Sequence, residues 1–358
     1  MRLCSEIVIL HWLCSITRSS CTNMPPESQT ESSTTSTATV RKHLPPVKDE
    51  KTGEYKSVAD NFTGATQASR YLVVSAVALF IYFRAPLQDA VDHLWSYLIK
   101  NDLFCSAYFE TIYVTLVYIA LVAGYPFVMH YIPWVQKFKV SDDVTYVHRP
   151  FFGKVGMVLE MFFHLTPLLV ADALKMKKYF DVPEIEWEKR RGQWIQTTRA
   201  LPEHSPNVLL MCGQVIGSVI AFDAIFFVVH FILHKNFYLY KYFHSQHHDH
   251  DVMHPHVTNQ LSVVERILQV ASANYSLILF RSHPLSRLVF VPVFLWFLIE
   301  NHTGYDLPWA PHRLIPHGVM GGPAKHHAHH QHGSRHYQPF FNYLDKWLEN
   351  WQLRKKLA

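Results

Sequence analysis

The sequence predicts an all-α protein: multi-pass membrane helices carrying a cytosol-facing, histidine-rich cap for two metal ions. Three observations predict it. Long apolar stretches recur from residue 71 onward, and only 17% of the 358 residues are charged, below the roughly 25% of soluble domains. Of the 25 histidines, 18 lie between His230 and His336. Those at the heart of this region form three sets at helical spacing, each beside an apolar stretch. The net charge of +5 is mild, and no basic run interleaves with aromatics, which excludes a nucleic-acid surface. The five cysteines (Cys4, Cys14, Cys21, Cys105, Cys212) form no CxxC pair, which argues against a disulfide framework or a thiolate zinc site.

In chain order, residues 1–70 are expected to form a disordered tail rich in Ser, Thr and Pro. A short apolar patch within 1–16 has the length of a targeting-signal core. Residues 71–358 make the membrane-embedded domain. The 71–83 stretch is short and ends near Arg84 and Pro86, so it reads as interfacial. Residues 111–131 are the cleanest span. Residues 155–174 are similar in length but carry Glu160, His164 and Asp172. Residues 208–229 are long enough to cross and lead into His230. Residues 267–280 and 285–299, separated by Arg281, Ser282, His283 and Pro284, are each short of a span. They read as a hairpin dipping into one leaflet or as two tilted helices.

Lys and Arg should mark cytosolic loops. Both the 132–154 loop (Lys137, Lys139, Arg149, Lys154) and the 175–207 loop (Lys175, Lys177, Lys178, Lys189, Arg190, Arg191) are basic. Either 155–174 is re-entrant or the charge rule fails here. Lys355 and Lys356 stand fourth and third from the end, the dilysine pattern that returns membrane proteins to the endoplasmic reticulum and needs a cytosolic C-terminus. An ordinary basic helix end is the alternative.

His230 and His234 form an HxxxH pair at the end of an apolar stretch, and His244, His247 and His248 form HxxHH ten residues later. His326, His329 and His330 repeat HxxHH near the C-terminus. Positions i, i+3 and i+4 of a helix share a face, so each set is expected to point its imidazoles one way. Neutral imidazole suits iron, zinc, copper or nickel. Eight donors exceed what one ion uses, which points to two metals. No Glu-x-x-His pair is present among them, which excludes the carboxylate-bridged bundle site. The bland alternative is a metal-collecting loop, and His250, His254 and His256 have that character.

The segments HFILH from His230, HSQHH from His244 and HHAHH from His326 resemble the three histidine boxes of the fatty acid hydroxylase/sterol desaturase superfamily. The stretch from Glu300 to Gly322 is similar to the segment between boxes two and three of its cholesterol 25-hydroxylase-like branch. The likeness implies a non-haem di-iron monooxygenase of the endoplasmic reticulum membrane that hydroxylates a sterol. It would use O2 and electrons from NAD(P)H through a cytochrome b5 system. The implied ligands are His230, His234, His244, His247, His248, His326, His329 and His330, joined by His302 from the family's HSGY-like segment. In one departure, Lys325 and His327 stand where the family's third box has a first histidine and an acid.

Several neighbours of these residues are candidate supports. Asp223 lies two helical turns before His230 and could orient it or make a packing contact. Asn301 and Asp306 flank His302 and could fix its tautomer, or be turn residues. His332 could act as a base beside box three, whereas His317 and His336 read as bystanders. A C-4 methylsterol oxidase is the nearest alternative within this chemistry, and a histidine-rich metal transporter is the alternative from another class.

Overall fold

A computed structural model describes residues 57–106, 108–124, 129, 132–140, 177–182, 185, 189, 198–250, 253 and 255–357. The possible targeting patch, most of the expected tail, the 155–174 segment and much of both basic loops lie outside the described residues. Helices carry the fold: α1 (Thr63–Tyr82), α2 (Arg84–Leu98), α3 (Phe109–Ile119), α4 (Val208–Lys235), α5 (Val263–Leu279), α6 (Pro284–His302), α7 (Gly322–His332) and α8 (Tyr343–Leu357). Two short parallel strands, β1 (Lys177–Val182) and β2 (Thr198–Pro202), are the exception among the described residues.

Among the described residues, three helices are long and apolar enough to cross a membrane: α1, α4 and α6. This revises the sequence reading in two places. The 71–83 stretch is the second half of α1, a full-length helix of 20 residues that buries none of them. The C-terminal end of the expected tail is structured, with a 3-10 turn at Val58–Asn61 capped by Ser57 and the first half of α1. The 285–299 stretch gains length from Pro284, which starts the helix, and from the polar Glu300, Asn301 and His302 at its end. Of residues 111–131, those described form most of α3 and a π turn over Ala120–Gly124, and the remainder of the expected span lies largely outside the described residues. Composition located these helices, but the polar residues that extend them carry no apolar signal.

The bundle that positions the site is α4, α5 and α6. Asn207 caps α4 by accepting from the amides of Leu209 and Leu210, a standard use of Asn at this position. Val215, Val219, Phe222 and Phe226 of α4 pack with Ala273 and Leu277 of α5 and with Phe290, Phe294 and Leu298 of α6. Far from the histidines, Gln214 of α4 donates to the carbonyls of Phe280 and Arg281 and accepts from Ser286. That clamp holds the α5–α6 turn against the start of α4. The pair therefore runs alongside α4 as two helices, antiparallel to each other, and α4 and α6 end together at the histidines.

The segment joining α6 to α7 is pinned by charge. Asp306 accepts from His312 at 2.8 Å and from Arg313 at 2.6 and 2.5 Å. These partners hold its carboxyl well below the usual carboxylate range, against the opposing effect of burial. Arg313 also reaches Asp60, and its carbonyl accepts from Arg70 of α1. At the start of α7, Gly322 has φ +72°, and a Cβ there would lie 2.3 Å from the His312 ring. Glycine is required on both counts. Gly322→Ala is expected to cost about 1–3 kcal/mol in backbone strain alone. A fall of several degrees in the thermal midpoint of the purified protein would show it, and an unchanged midpoint would refute it.

Candidate metal centre

α4 is 28 residues long, about 42 Å, whereas a hydrocarbon core takes roughly 20 residues of helix. Its last eight residues overhang that length. His230 and His234 sit in the overhang, one turn apart on the same face. After α4 the chain turns through Phe237–Leu239, a π turn at Tyr240–His244 and a short helix at Ser245–His248. This carries His244, His247 and His248 back over the helix end. His302 ends α6, and α7 crosses above with His326, His329 and His330.

All nine histidines converge, in two groups. His230, His234, His244, His248 and His329 form one; His247, His302, His326 and His330 form the other. Within each group the candidate donor atoms lie within 4.8 Å of one another. The expectation that each HxxHH set points one way is corrected: His244 and His248 enter the first group and His247 the second. In the third set His326 and His330 enter the second group and His329 the first. The helical period explains the split, because i and i+4 stay nearly in line while an adjacent residue is turned by about 100°. Each HxxHH box therefore serves both groups.

The ring nitrogens are committed by their neighbours. Nδ1 of His230 donates to the carbonyl of Tyr337 at 2.7 Å, and Nδ1 of His329 to that of Arg335 at 2.7 Å. Nδ1 of His248 donates to the carbonyl of His330 at 3.3 Å, and Nδ1 of His244 to the Glu265 carboxylate at 2.8 Å. With Nδ1 protonated in a neutral ring, Nε2 is a bare lone pair. Yet Nε2 of His230 lies 3.1 Å from both His244 and His329, and Nε2 of His244 lies 3.0 Å from His248. Four lone pairs thus face a common point. Protonation does not relieve this, since burial and then the neighbouring rings push His244 and His329 far down. Burial lowers His248 to about 4. A cation at that point relieves it, so the donor set fits a metal ion.

The second group is built alike. Nδ1 of His302 donates to the Leu298 carbonyl at 2.6 Å, and Nε2 faces that of His326 at 2.9 Å. His326 and His330 meet at 3.1 Å through Nε2. Burial, followed by the surrounding imidazoles, lowers His247, His326 and His330 well below the ordinary histidine range.

Three of the expected supports act elsewhere. Asp223 does not touch His230. Its carboxylate accepts from Gln338 Nε2 at 2.5 Å and from the amides of Phe340 and Phe341 at 2.6 and 3.2 Å. It thereby ties down the strand of chain whose Tyr337 carbonyl orients His230. Asp306 serves Arg313 and His312 rather than His302, whose ring is fixed by its own helix. His332 is exposed at the end of α7. Asn301 donates to the Pro339 carbonyl at 2.5 Å, and His327 meets Gln331 at 3.0 Å.

Two contacts went unread in the sequence. His250, grouped there with loop histidines, meets Nδ1 of His330 through Nε2 at 3.0 Å. Glu265 stands at the Ser-x-x-Glu spacing of a capping box after Ser262, which accepts from its amide. Its side chain instead turns into the cap, where it is 1% exposed.

A helical membrane protein whose cap gathers nine imidazoles into two adjoining groups offers two donor sets, each of a kind that holds a metal ion. The comparisons narrow the class. Residues 215–350 match the family model described as Fatty acid hydroxylase, a range that contains all nine histidines. It is 38% identical to Cholesterol 25-hydroxylase-like protein 1, member 2 of Danio rerio, over 43% of this chain and 56% of that protein. It is 28% identical to Cholesterol 25-hydroxylase of Homo sapiens, over 73% and 89%. Methylsterol monooxygenase 1 of Gallus gallus is 24% identical over 78% and 88%. Against the zebrafish relative the chain spans little more than half the relative's length. No solved structure matches.

Replacing Glu265 tests the support it gives. Glu265→Leu is expected to lower metal retention or turnover by roughly 10–100-fold, the usual effect of losing a carboxylate behind a ligating histidine. Glu265→Gln, which keeps an acceptor oxygen, should fall between. Metal analysis of the purified variants reads this, and full metal content in the Leu variant would remove Glu265 from the centre.

Proposed function

We propose that the protein is a membrane-bound sterol hydroxylase that uses O2 and a non-haem di-iron centre to hydroxylate the sterol side chain near C-25. The nine histidines His230, His234, His244, His247, His248, His302, His326, His329 and His330 are its ligands. The observation that carries the reading is the pair of adjoining imidazole groups with Nε2 lone pairs turned inward. Iron bound there would supply the oxidation of an unactivated C–H bond.

The chain's own residues do the rest. The carbonyls of Tyr337, Arg335, Leu298 and His330, with the Glu265 carboxylate, hold the imidazoles in the tautomer that leaves Nε2 free. An oxygen-poor shell would leave bound iron its positive charge. The ends of α4 and α6 lead from apolar helix to imidazole, so a lipid substrate reaches the centre without crossing water. Electrons would come from NAD(P)H through a cytochrome b5 system on the aqueous side. Location in the endoplasmic reticulum membrane, with the C-terminus cytosolic, is part of this reading and accords with the relatives' sterol chemistry.

The likeness to Methylsterol monooxygenase 1 supports a second reading, oxidation of a sterol C-4 methyl group. A metal transporter is disfavoured because the histidines converge in a buried cap instead of lining a loop. Sterol profiling of cells expressing the protein separates these readings: a 25-hydroxysterol is expected, and C-4 oxidised sterols would favour the second. His247→Ala and His329→Ala, one from each group, should abolish the product while the protein still inserts into membranes. Normal turnover in either would strike that histidine from the ligand set.

A further inference from the structure

α8 carries an exposed stripe that the metal centre does not use. Tyr343, Trp347 and Trp351 are spaced by four residues and share a face. They are 42%, 60% and 50% exposed. The opposite face is fastened. Leu348 is buried beside Leu344 in a cluster with Phe227, Phe231 and Tyr337, and Asp345 accepts from the amides of Tyr337 and Gln338 at 2.9 and 3.0 Å. Two indoles are therefore held outward on a fixed helix.

The packing fixes their depth. Counted from Val208, about 20 residues of α4 fill a hydrocarbon core, which ends near Phe227. Phe227 and Phe231 are the residues of α4 that α8 packs against, so α8 lies at the level where the bilayer gives way to water. The corner after α4 shows the same chemistry: Phe237, Tyr238 and Tyr242 are largely exposed. Lys241 Nζ lies 6.0 and 5.7 Å from the Phe237 and Tyr242 rings, and on α8 Lys355 Nζ lies 5.3 Å from the Trp351 ring. Aromatic rings interleaved with cations are the composition of a membrane's boundary layer, where the ring meets acyl chain and the cation meets phosphate.

We propose that α8 lies in the plane of the membrane–water boundary. Tyr343, Trp347 and Trp351 seat in a phospholipid bilayer, Arg354 and Lys355 meet anionic headgroups, and residues 237–242 complete the belt. This contact also sets the depth of the metal centre. Asp345 in the first turn of α8 holds the Tyr337 amide, and the Tyr337 carbonyl holds His230.

Tryptophan emission of the full-length chain in phosphatidylcholine–phosphatidylserine vesicles tests the proposal. The difference between wild type and the double variant Trp347→Phe, Trp351→Phe isolates the two indoles while keeping aromatic packing. Lipids brominated on the acyl chains are expected to quench that difference emission roughly twofold or more, and aqueous iodide to leave it nearly intact. Quenching by iodide without quenching by brominated lipid would place the stripe in water and overturn the proposal. Protection from both quenchers would mean that protein, including a second copy of this chain, covers it, and would overturn it equally. Arg354→Gln with Lys355→Gln should weaken the bromine quenching in the mixed vesicles but not in phosphatidylcholine alone. Equal quenching in both lipids would remove the anionic headgroups from the proposal.

Discussion

Everything in the cap depends on lone pairs that face one another. Four imidazoles of the first group spend their Nδ1 protons on oxygen acceptors, which leaves Nε2 bare and 3.0–3.1 Å from the Nε2 of a neighbouring ring. Unprotonated nitrogens at that spacing repel, and the surrounding burial denies them protons. Turning a ring outward would leave its Nδ1 bond unmade in a dry interior, at a cost of about 1–3 kcal/mol for each orphaned group. The arrangement is low in energy only with a cation at its centre.

That constraint dictates the architecture beneath it. Five donors on one point and four on another must come from at least three pieces of chain, because one helical turn aims only residues i and i+4 together. α4 provides one such pair, and the HxxHH turns at Ser245–His248 and on α7 each supply a pair to one group and a single ring to the other. The helices α4 and α6 end side by side, and the overhang of α4 beyond a bilayer's hydrocarbon thickness lifts His230 and His234 to its edge, beside His302 at the end of α6. Gln214 and the serines around it hold the far end of the same bundle. They use small polar contacts, which suits helices that gain little from apolar burial when lipid surrounds them.

Second to the imidazoles comes the strap from Tyr337 to Phe341. Asp223 holds one side of it and Asp345 the other, while Gln338 donates to Asp223 and accepts from the Leu344 amide. Gly333, at φ +62°, ends α7 in the left-handed conformation and turns the chain back so that the Arg335 and Tyr337 carbonyls return to His329 and His230. Two buried carboxylates far from the metal-binding atoms thus govern the orientation of rings they never touch.

Much of this was legible in one dimension. The period of 3.6 residues marks His230 with His234, His244 with His248, and His326 with His330 as pairs that must point together, and the apolar run before His230 requires that helix to end at a membrane edge. What stayed hidden has a common physical cause: it depends on chain distant in sequence. Glu265 went unread because nothing local to it points to a histidine, and only the packing of α5 against the π turn brings His244 within 2.8 Å. Asp223 read as a neighbour of His230, whereas its partners lie some 115 residues later. The division of each HxxHH box between two centres follows from helix geometry, but which ring goes to which centre is settled by where α6 and α7 place His302 and His329. Local periodicity determined the donors; the packing of α4, α5, α6 and α7 decided how those donors are shared and which oxygens hold them.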